Sequence, residues 1–289
     1  MTQKINPCLW FDHNAEEAAK FHTSLFKDSK IGRIAKFTKG GAQVSGQKEN
    51  STMTIEYEMA SLKLIGINGG PMFKFTPSFS FFVWCDTESE IDSLWKSLSN
   101  GGEARMVLDK YPWAEKYGWT SDKYGVEWQL MLKEGLQKIT PTFLFVDELF
   151  GKGEEAISFY AGIFKNSKID ALAKDEETKI ILHCQFELEG QCFVLMEGQG
   201  KHGHKFNNSF SLVVNCDSQD EIDYYWNKLS QGGEIEQCGW LKDKFGVSWQ
   251  VVPTVLSEIM SGKNKQKSER AMGAILQMKK IEIDKIMEA

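Results

Sequence analysis

Three glycines have a spacing that could hold a nucleotide cofactor. Gly198, Gly200 and Gly203 follow an apolar run of strand type, and their spacing matches the fingerprint that binds a dinucleotide pyrophosphate. That fingerprint needs a helix at its third glycine, so that amide groups and the helix dipole meet the phosphates. Residues 204–214 are instead typical of a chain leading into a strand. We therefore interpret the glycines as a turn and predict no cofactor.

Histidines and cysteines offer a second kind of chemistry. His202 and His204 could bind a metal together with Glu197, but they lie in a stretch rich in lysine and glycine, where we expect solvated side chains. His183 and Cys184 are adjacent on a predicted strand, so their side chains point to opposite faces and form no catalytic pair. The six cysteines contain no Cys-x-x-Cys pair, which favours reduced, packed thiols.

Composition excludes several classes of partner. The chain has 34 Lys+Arg against 40 Asp+Glu, a net charge of -6, and very few arginines, which argues against nucleic acid. It has no run of about 18 apolar residues that would span a membrane, and its first residues do not resemble a signal peptide. We predict a cytoplasmic protein that binds neither nucleic acid nor membrane.

An internal duplication determines how these residues are positioned. Residues 15–31 match residues 153–169 at nine of seventeen positions, and residues 75–103 match residues 206–234 at sixteen of twenty-nine. A third block, the Gly-Trp turn and following strand, recurs in the same order. The predicted organisation is a first domain (1–134), a second domain (139–256) and a polar linker with an amphipathic helix (257–289).

Each repeat shows the same order of elements twice. An apolar run behind a proline predicts a strand, a capping-box spacing predicts the start of a helix, and three β-prone segments follow. A second strand and helix are predicted to start at residues 79 and 87, and three strands are predicted after them, the first at 104–108. The chain is predicted to contain four βαβββ units and to belong to the α+β class.

These residues resemble a known family. The runs Pro-x-Leu-Trp-Phe-Asp-x-Asn-Ala-Glu-Glu-Ala, Asn-Gly-Gly-Pro, Ser-Phe-Phe-Val and Asp-Lys-Tyr/Phe-Gly-Val-x-Trp-Gln are similar to the PhnB-like branch of the glyoxalase/bleomycin-resistance (vicinal oxygen chelate) superfamily. That branch carries the name 3-demethylubiquinone-9 3-methyltransferase. The resemblance implies tandem glyoxalase-like domains, in each of which two βαβββ units form an eight-stranded, cup-shaped sheet that binds a small molecule or a metal on its concave side.

The resemblance also implies where a site would lie. Members with a metal place its ligands on the first and last strands of each βαβββ unit. The position on the opening strand falls on Cys8 and Thr142, and the position on the fifth strand falls on Ser80 and Ser211 or the preceding phenylalanines. The position on the last strand falls on Gln129 and Gln250, and the end of the fourth strand offers Asn68 and Glu197. Thiols, hydroxyls and amides are poor ligands for a divalent cation, so we predict no metal. Trp10 is a further ligand-binding candidate, because the second repeat has Leu144 there.

The leading hypothesis is a small-molecule-binding protein whose metal-ligand positions have degenerated. Two alternatives stay open: a metal-assisted lyase, isomerase or dioxygenase of the same superfamily, and a structural or partner-binding module. Methyl transfer is not expected, because common S-adenosylmethionine enzymes need a glycine-rich strand-to-helix turn. We expect the two copies to pack as an intramolecular pseudo-dimer, with a homodimer as the alternative.

Overall fold

The computed structural model describes residues 3–133 and 138–289. The predicted end of the first domain, residue 134, lies outside the described residues, as do residues 135–137. The strands and helices follow in chain order: β1 (Ile5–Phe11), α1 (Ala15–Leu25), β2 (Lys30–Lys36), α2 (Lys39–Ser45), β3 (Thr52–Met59), β4 (Leu62–Asn68), β5 (Phe79–Cys85), α3 (Glu88–Leu98), β6 (Ala104–Tyr111), β7 (Ala114–Ser121), β8 (Glu127–Leu132), β9 (Ile139–Phe145), α4 (Gly153–Ile163), β10 (Ser167–Lys174), β11 (Ile181–Leu188), β12 (Gln191–Glu197), β13 (Phe210–Cys216), α5 (Gln219–Leu229), β14 (Glu234–Ile235), β15 (Trp240–Lys242), β16 (Ser248–Pro253), α6 (Thr254–Ser261), α7 (Lys265–Ile275) and α8 (Ile283–Met287).

The strands form two eight-stranded mixed sheets. Sheet 1 has the order β14-β15-β16-β13-β1-β4-β3-β2, and sheet 2 has the order β10-β11-β12-β9-β5-β8-β7-β6. Each sheet therefore joins one βαβββ unit from the first repeat to one from the second. The junctions are antiparallel, between β1 and β13 in sheet 1 and between β5 and β9 in sheet 2.

This pairing corrects one implication of the resemblance. The resemblance implied that the two units of one repeat share a sheet, whereas the structure pairs units of different repeats. The chain accordingly divides into one unit that holds residues up to Thr23, Asp28–Lys74 and Asn207–Ala289, and a second unit that holds Ser24–Lys27 and Phe75–Phe206. Each unit is built around one sheet.

Helix α3 begins where its capping-box spacing predicts. At the start of α3, the Thr87 hydroxyl accepts a hydrogen bond from the Glu90 amide (3.2 Å), and the Glu90 carboxylate accepts one from the Asp86 amide (2.9 Å). This reciprocal pair satisfies amide groups that the first turn leaves without a helical partner. Ile91 and Leu98 lie on one side of α3 and are buried. The equivalent helix α5 begins in the same way at Ser218.

Two tryptophans fix the turn before the last strand of each repeat. Trp128 is fully buried, and its indole N–H donates to a carboxylate oxygen of Asp122 (2.9 Å). The other carboxylate oxygen of Asp122 accepts the amide of Val126 (3.1 Å). Trp249 and Asp243 repeat the arrangement in sheet 1. Trp128 and Trp249 are therefore packed core residues.

The residues after β16 pack on the unit of sheet 1. The sequence predicts a polar linker and one amphipathic helix over residues 257–289, whereas the structure has three short helices, α6, α7 and α8. Glu269 of α7 accepts the backbone amides of Lys39 and Gly40 (2.8 and 2.7 Å) and so holds α2 in place. Further along, the carbonyl of Met278 accepts the amide of Cys238 (2.8 Å). Within the described residues, no helix is long and apolar enough to cross a membrane.

We expect alanine at Gly125 or Gly246 to destabilise the protein. Both glycines follow the Asp-x-x turn with φ of +86° and +79°, a conformation that costs a residue with a Cβ about 1 kcal/mol or more. Urea denaturation should report this loss in both variants. Gly162→Ala is the control, because Gly162 lies in α4 with open space around its Cα, and alanine there should stabilise. Equal effects at all three positions would contradict the conformational explanation.

Candidate functional site

Three of the predicted site residues meet on one face of sheet 1. Cys8 of β1 pairs with Ser211 of β13, and Gln250 of β16 lies one strand further along. The amide group of Gln250 donates to the Ser211 hydroxyl (2.9 Å), and Cys8 is the ladder partner of Ser211. All three residues are buried.

The equivalent three residues meet in sheet 2. Ser80 of β5 pairs with Thr142 of β9, and the Gln129 amide donates to the Ser80 hydroxyl (2.9 Å). The Tyr117 hydroxyl donates to the Gln129 carbonyl oxygen at 2.5 Å, so this amide is bound at both ends. The Thr142 hydroxyl donates to the backbone carbonyl of Thr140 (3.1 Å). Sheet 2 therefore holds a closed, buried polar cluster.

The grouping differs from the one that the sequence repeats suggest. Within the first repeat, Cys8 would be grouped with Ser80 and Gln129. Because β1 pairs with β13 and β5 pairs with β9, Cys8 instead lies with Ser211 and Gln250. The three positions of each site are present, but each site draws them from both repeats.

The donor atoms in these clusters do not fit a divalent metal ion. Burial raises the pKa of Cys8 to about 12, so its sulfur is a neutral thiol at physiological pH and not a thiolate ligand. The other groups are hydroxyls and amides, which carry no charge to balance a dication in a dry site. Neither cluster includes a histidine or a carboxylate among its three positions.

Asn68 and Glu197 have contacts that explain them as helix caps. Asn68 ends β4, and its side-chain oxygen accepts the amide of Ala15 at the start of α1 (2.8 Å). Glu197 ends β12, and its two oxygens accept the amides of Gly153 (2.9 Å) and Ile181 (2.7 Å). In both repeats, a polar side chain at this strand end accepts the first amide of the helix of the same βαβββ unit, α1 or α4. Neither residue joins the clusters described above.

Trp10 lies on the same face of β1 as Cys8 but packs against a loop. Its indole N–H donates to the carbonyl of Gly70 (2.9 Å), and its ring meets Phe73 and Trp240 edge-on, with centroids 5.3 and 5.9 Å apart. A side chain at Gly69 would overlap the indole ring. The first repeat has Trp10 where the second has Leu144, and the loops after β4 and β12, which lie next to these positions, also differ in sequence.

The glycine-rich stretch after β12 is a loop that leads directly to β13. Two of its amides, those of His202 and Gly203, donate to the carboxylate of Asp147 (2.9 and 2.8 Å). A carboxylate already occupies the groups that would bind a phosphate. The His204 ring hydrogen-bonds to the Ser78 hydroxyl at 2.8 Å, so the two histidines and Glu197 form no common site.

The neighbours His183 and Cys184 of β11 do point to opposite faces. The His183 ring meets Phe82 and Trp84 edge-on, with centroids 6.0 Å away, and burial lowers its pKa. Cys184 is fully buried, and burial raises its pKa to about 11. This thiol and imidazole are therefore both neutral and separately packed at pH 7.

A second group of potential metal ligands lies on sheet 2. Asp170, Glu187 and Cys192 place their ligand atoms within 4.8 Å of one another. The ammonium group of Lys168 contacts both carboxylates, at 3.2 and 3.3 Å, and offsets one of their two negative charges. This arrangement is an ion-pair cluster at the edge of the sheet.

A cavity of about 450 Å³ opens above sheet 1, on the face that carries Gln250. Its floor includes Asn6 of β1, Lys63 of β4 and Val213 of β13, and the helices α6 and α7 contribute Met260 and Met272. The volume is within the range of small-molecule sites. Of the three clustered residues, Gln250 lines this cavity.

Sequence reasoning missed Asn6 and Lys63, which lie in the same row across the strands as Gln250. Val213 pairs with both Gln250 and Asn6, and Lys63 is two residues before Ile65, which pairs with Cys8. The equivalent positions in sheet 2 hold Gln129, Phe82, Thr140 and Cys192. Comparison of inward-facing positions between repeats could have found them, because the difference at both positions is visible in the sequence.

Comparison with known proteins assigns the chain to a family. The model of the 3-demethylubiquinone-9 3-methyltransferase family matches residues 3–131 and 137–252, which covers most of both repeats. The chain belongs to this family. No curated protein matches it.

Two solved structures are similar to this chain, one over about half of its length and the other over most of it. The PhnB protein from Bacillus cereus is 38% identical, and the match covers 45% of this chain and 100% of that chain with a TM-score of 0.42. A mutant of glyoxalase I from Zea mays is 11% identical, and the match covers 86% of this chain and 91% of that chain with a TM-score of 0.56. The second match spans both repeats, so this member of the 3-demethylubiquinone-9 3-methyltransferase family has the tandem glyoxalase fold.

The two glutamines should differ in their effect on stability. Gln129→Ala leaves the buried hydroxyls of Tyr117 and Ser80 without their partner, a loss of about 1–3 kcal/mol. Gln250→Ala should cost less, because Gln250 lines a cavity that water can enter and Cys238 stands where sheet 2 has Tyr117. Urea denaturation measures both, and Tyr117→Phe combined with Gln129→Ala should recover part of the loss. Equal losses for the two alanine variants would contradict this difference.

Removal of metal should leave the melting temperature unchanged. A divalent ion bound at a hundredfold excess over its Kd stabilises by about 3 kcal/mol, which thermal unfolding detects as several degrees. The protein, purified without an affinity tag, should melt at the same temperature before and after dialysis against EDTA. A drop of several degrees that Mn²⁺ or Zn²⁺ reverses would overturn the conclusion that the donor atoms do not fit a metal.

Proposed function

We propose that this protein is a cytoplasmic small-molecule-binding protein that holds a partly apolar ligand in the cavity above sheet 1 without a metal ion. The cavity carries the proposal, since it combines about 450 Å³ of space with apolar walls and a small number of polar groups. All six cysteines are free thiols, which suits a reducing compartment.

The corresponding face of sheet 2 supports the choice of sheet 1. There Phe82, Trp84 and Tyr117 form a buried cluster, and partly buried side chains pack against it, among them Trp119 and Met131. Three residues of the cavity lining in sheet 1 are smaller than their counterparts there: Val213 in place of Phe82, Asn215 in place of Trp84 and Val252 in place of Met131. The smaller side chains leave space where the other sheet has packed rings.

The side chains of the site and its open cavity support this proposal over the two alternative functions. A metal-assisted lyase, isomerase or dioxygenase needs ligands that Cys8, Ser211 and Gln250 do not supply. A purely structural module has no need of an open cavity next to a polar row, because filling it with side chains would stabilise the fold. Methyl transfer is not carried over from the family name, since the glycine-rich stretch leads to β13 and its amides bind Asp147.

A neutral fluorescent probe tests this proposal. N-phenyl-1-naphthylamine, which fluoresces in apolar surroundings, should bind the wild-type protein saturably with one site. The double variant Val213→Phe and Val252→Met introduces the two residues that sheet 2 has at these positions, and it should weaken binding by about tenfold or more by narrowing the cavity.

Val44→Phe is the matched control, because Val44 lies on α2 with 69% of its surface exposed, outside the cavity lining. This variant should bind the probe as the wild type does. The double variant and Val44→Phe are compared with the wild type only if both unfold at the wild-type melting temperature. No saturable binding by wild-type protein, or equal binding by the double variant, would overturn the proposal in favour of a structural or partner-binding role.

A further inference from the structure

The cavity above sheet 1 has one more positive charge than its own residues balance. Five charged residues line it, three cations and two carboxylates. Lys30 pairs with Glu58 (3.2 Å), and Arg33 pairs with Glu56 (3.5 Å). Among the described residues, the remaining cation, Lys63, has no carboxylate within ion-pair distance. A charge at the wall of a small cavity interacts strongly with a bound ion of opposite sign, because the wall displaces water.

An unpartnered oxygen lies next to this charge. The side-chain carbonyl oxygen of Asn6 is buried and receives no hydrogen bond from any described residue. Lys63 follows Asn6 across the sheet, since β1 and β4 run parallel and Cys8 pairs with Ile65 two residues further on. A buried acceptor without a partner costs about 1–3 kcal/mol, which a donor on a ligand, or a water, would recover.

The second repeat provides a comparison within the same chain. At the positions of Asn6 and Lys63, sheet 2 has Thr140 and Cys192. The neighbouring Glu58–Lys30 pair is retained as Glu187–Lys168. The ion pair is thus common to both sheets, whereas the amide and the surplus ammonium belong only to the sheet with the cavity.

The opposite wall of the cavity is apolar. Leu256 and Met260 of α6 and Met272 and Ile275 of α7 face the polar row of the sheet. Methionine side chains adapt to ligands of irregular shape. A ligand that fits both walls has one charged end and one apolar body.

We infer that the ligand of this cavity is an apolar carboxylic acid with a hydroxyl or amide N–H next to its carboxylate. The carboxylate binds the Lys63 ammonium, the adjacent donor binds the Asn6 carbonyl oxygen, and the chain lies under α6 and α7. This inference rests on the proposed function, because it assigns the ligand class of the same cavity.

Three eight-carbon compounds test the two polar contacts separately. 2-Hydroxyoctanoate has both the carboxylate and the adjacent hydroxyl, octanoate has only the carboxylate, and 1-octanol lacks the carboxylate. Displacement of N-phenyl-1-naphthylamine gives their affinities. We expect 2-hydroxyoctanoate to bind most tightly and octanol least tightly. Lys63→Gln should weaken both acids by about tenfold and leave octanol and the naphthylamine unchanged. Asn6→Thr, which introduces the residue of sheet 2, should remove the preference for the hydroxy acid over octanoate.

Lys30→Gln is the matched control, since the ammonium of Lys30 is paired with Glu58. It should weaken the acids less than Lys63→Gln does. If the naphthylamine binds in the cavity but the acids bind no better than octanol, or if Lys63→Gln has no effect on them, the ligand class is wrong and the proposed function stands. If the naphthylamine does not bind saturably, the proposed function itself fails.

Discussion

The antiparallel pairing of β1 with β13, and of β5 with β9, is the constraint on which the rest of the structure depends. These two ladders join a half of one repeat to a half of the other, and they decide which side chains can meet. The ladder between β1 and β13 puts Cys8 beside Ser211 and brings Gln250 within reach. A shift of this register by one residue would turn the whole set to the other face of the sheet.

The two sheets share a backbone plan but use their inward faces differently. In sheet 2, aromatic rings pack together and the Gln129 amide is bound at both ends, which stabilises a closed interior. In sheet 1, the smaller Val213 leaves space and Cys238 takes the place of Tyr117, which removes a hydroxyl donor. The substitutions between the two copies therefore fill the inward face of sheet 2 with side chains and leave a cavity on that of sheet 1.

Much of the fold follows from local patterns in the sequence, and the site follows from them only in part. The strand Phe79–Cys85 and the capping box at Thr87 are local signals, and the structure has both. Helix α2 was missed, because its sequence contains two adjacent glycines and it depends on Glu269 for two of its amide contacts. The grouping of Cys8 could not be predicted, since the energy difference between pairing within and between repeats lies in contacts about 200 residues apart.

The position of the C-terminal helices follows from the same pairing. They continue from β16, which lies in sheet 1 because β13 pairs with β1 and β16 pairs with β13. The segment that only the second repeat carries therefore covers strands of the first repeat, and Ser257 of α6 hydrogen-bonds to Glu56 of β3. Had each repeat formed its own sheet, β16 would lie in the same sheet as the strands that hold Thr142 and Cys192, and these helices would pack on that sheet. The exchange of halves brings the apolar side chains of α6 and α7 to the one sheet that holds Asn6 and Lys63, and so unites the charged and the apolar wall of the cavity.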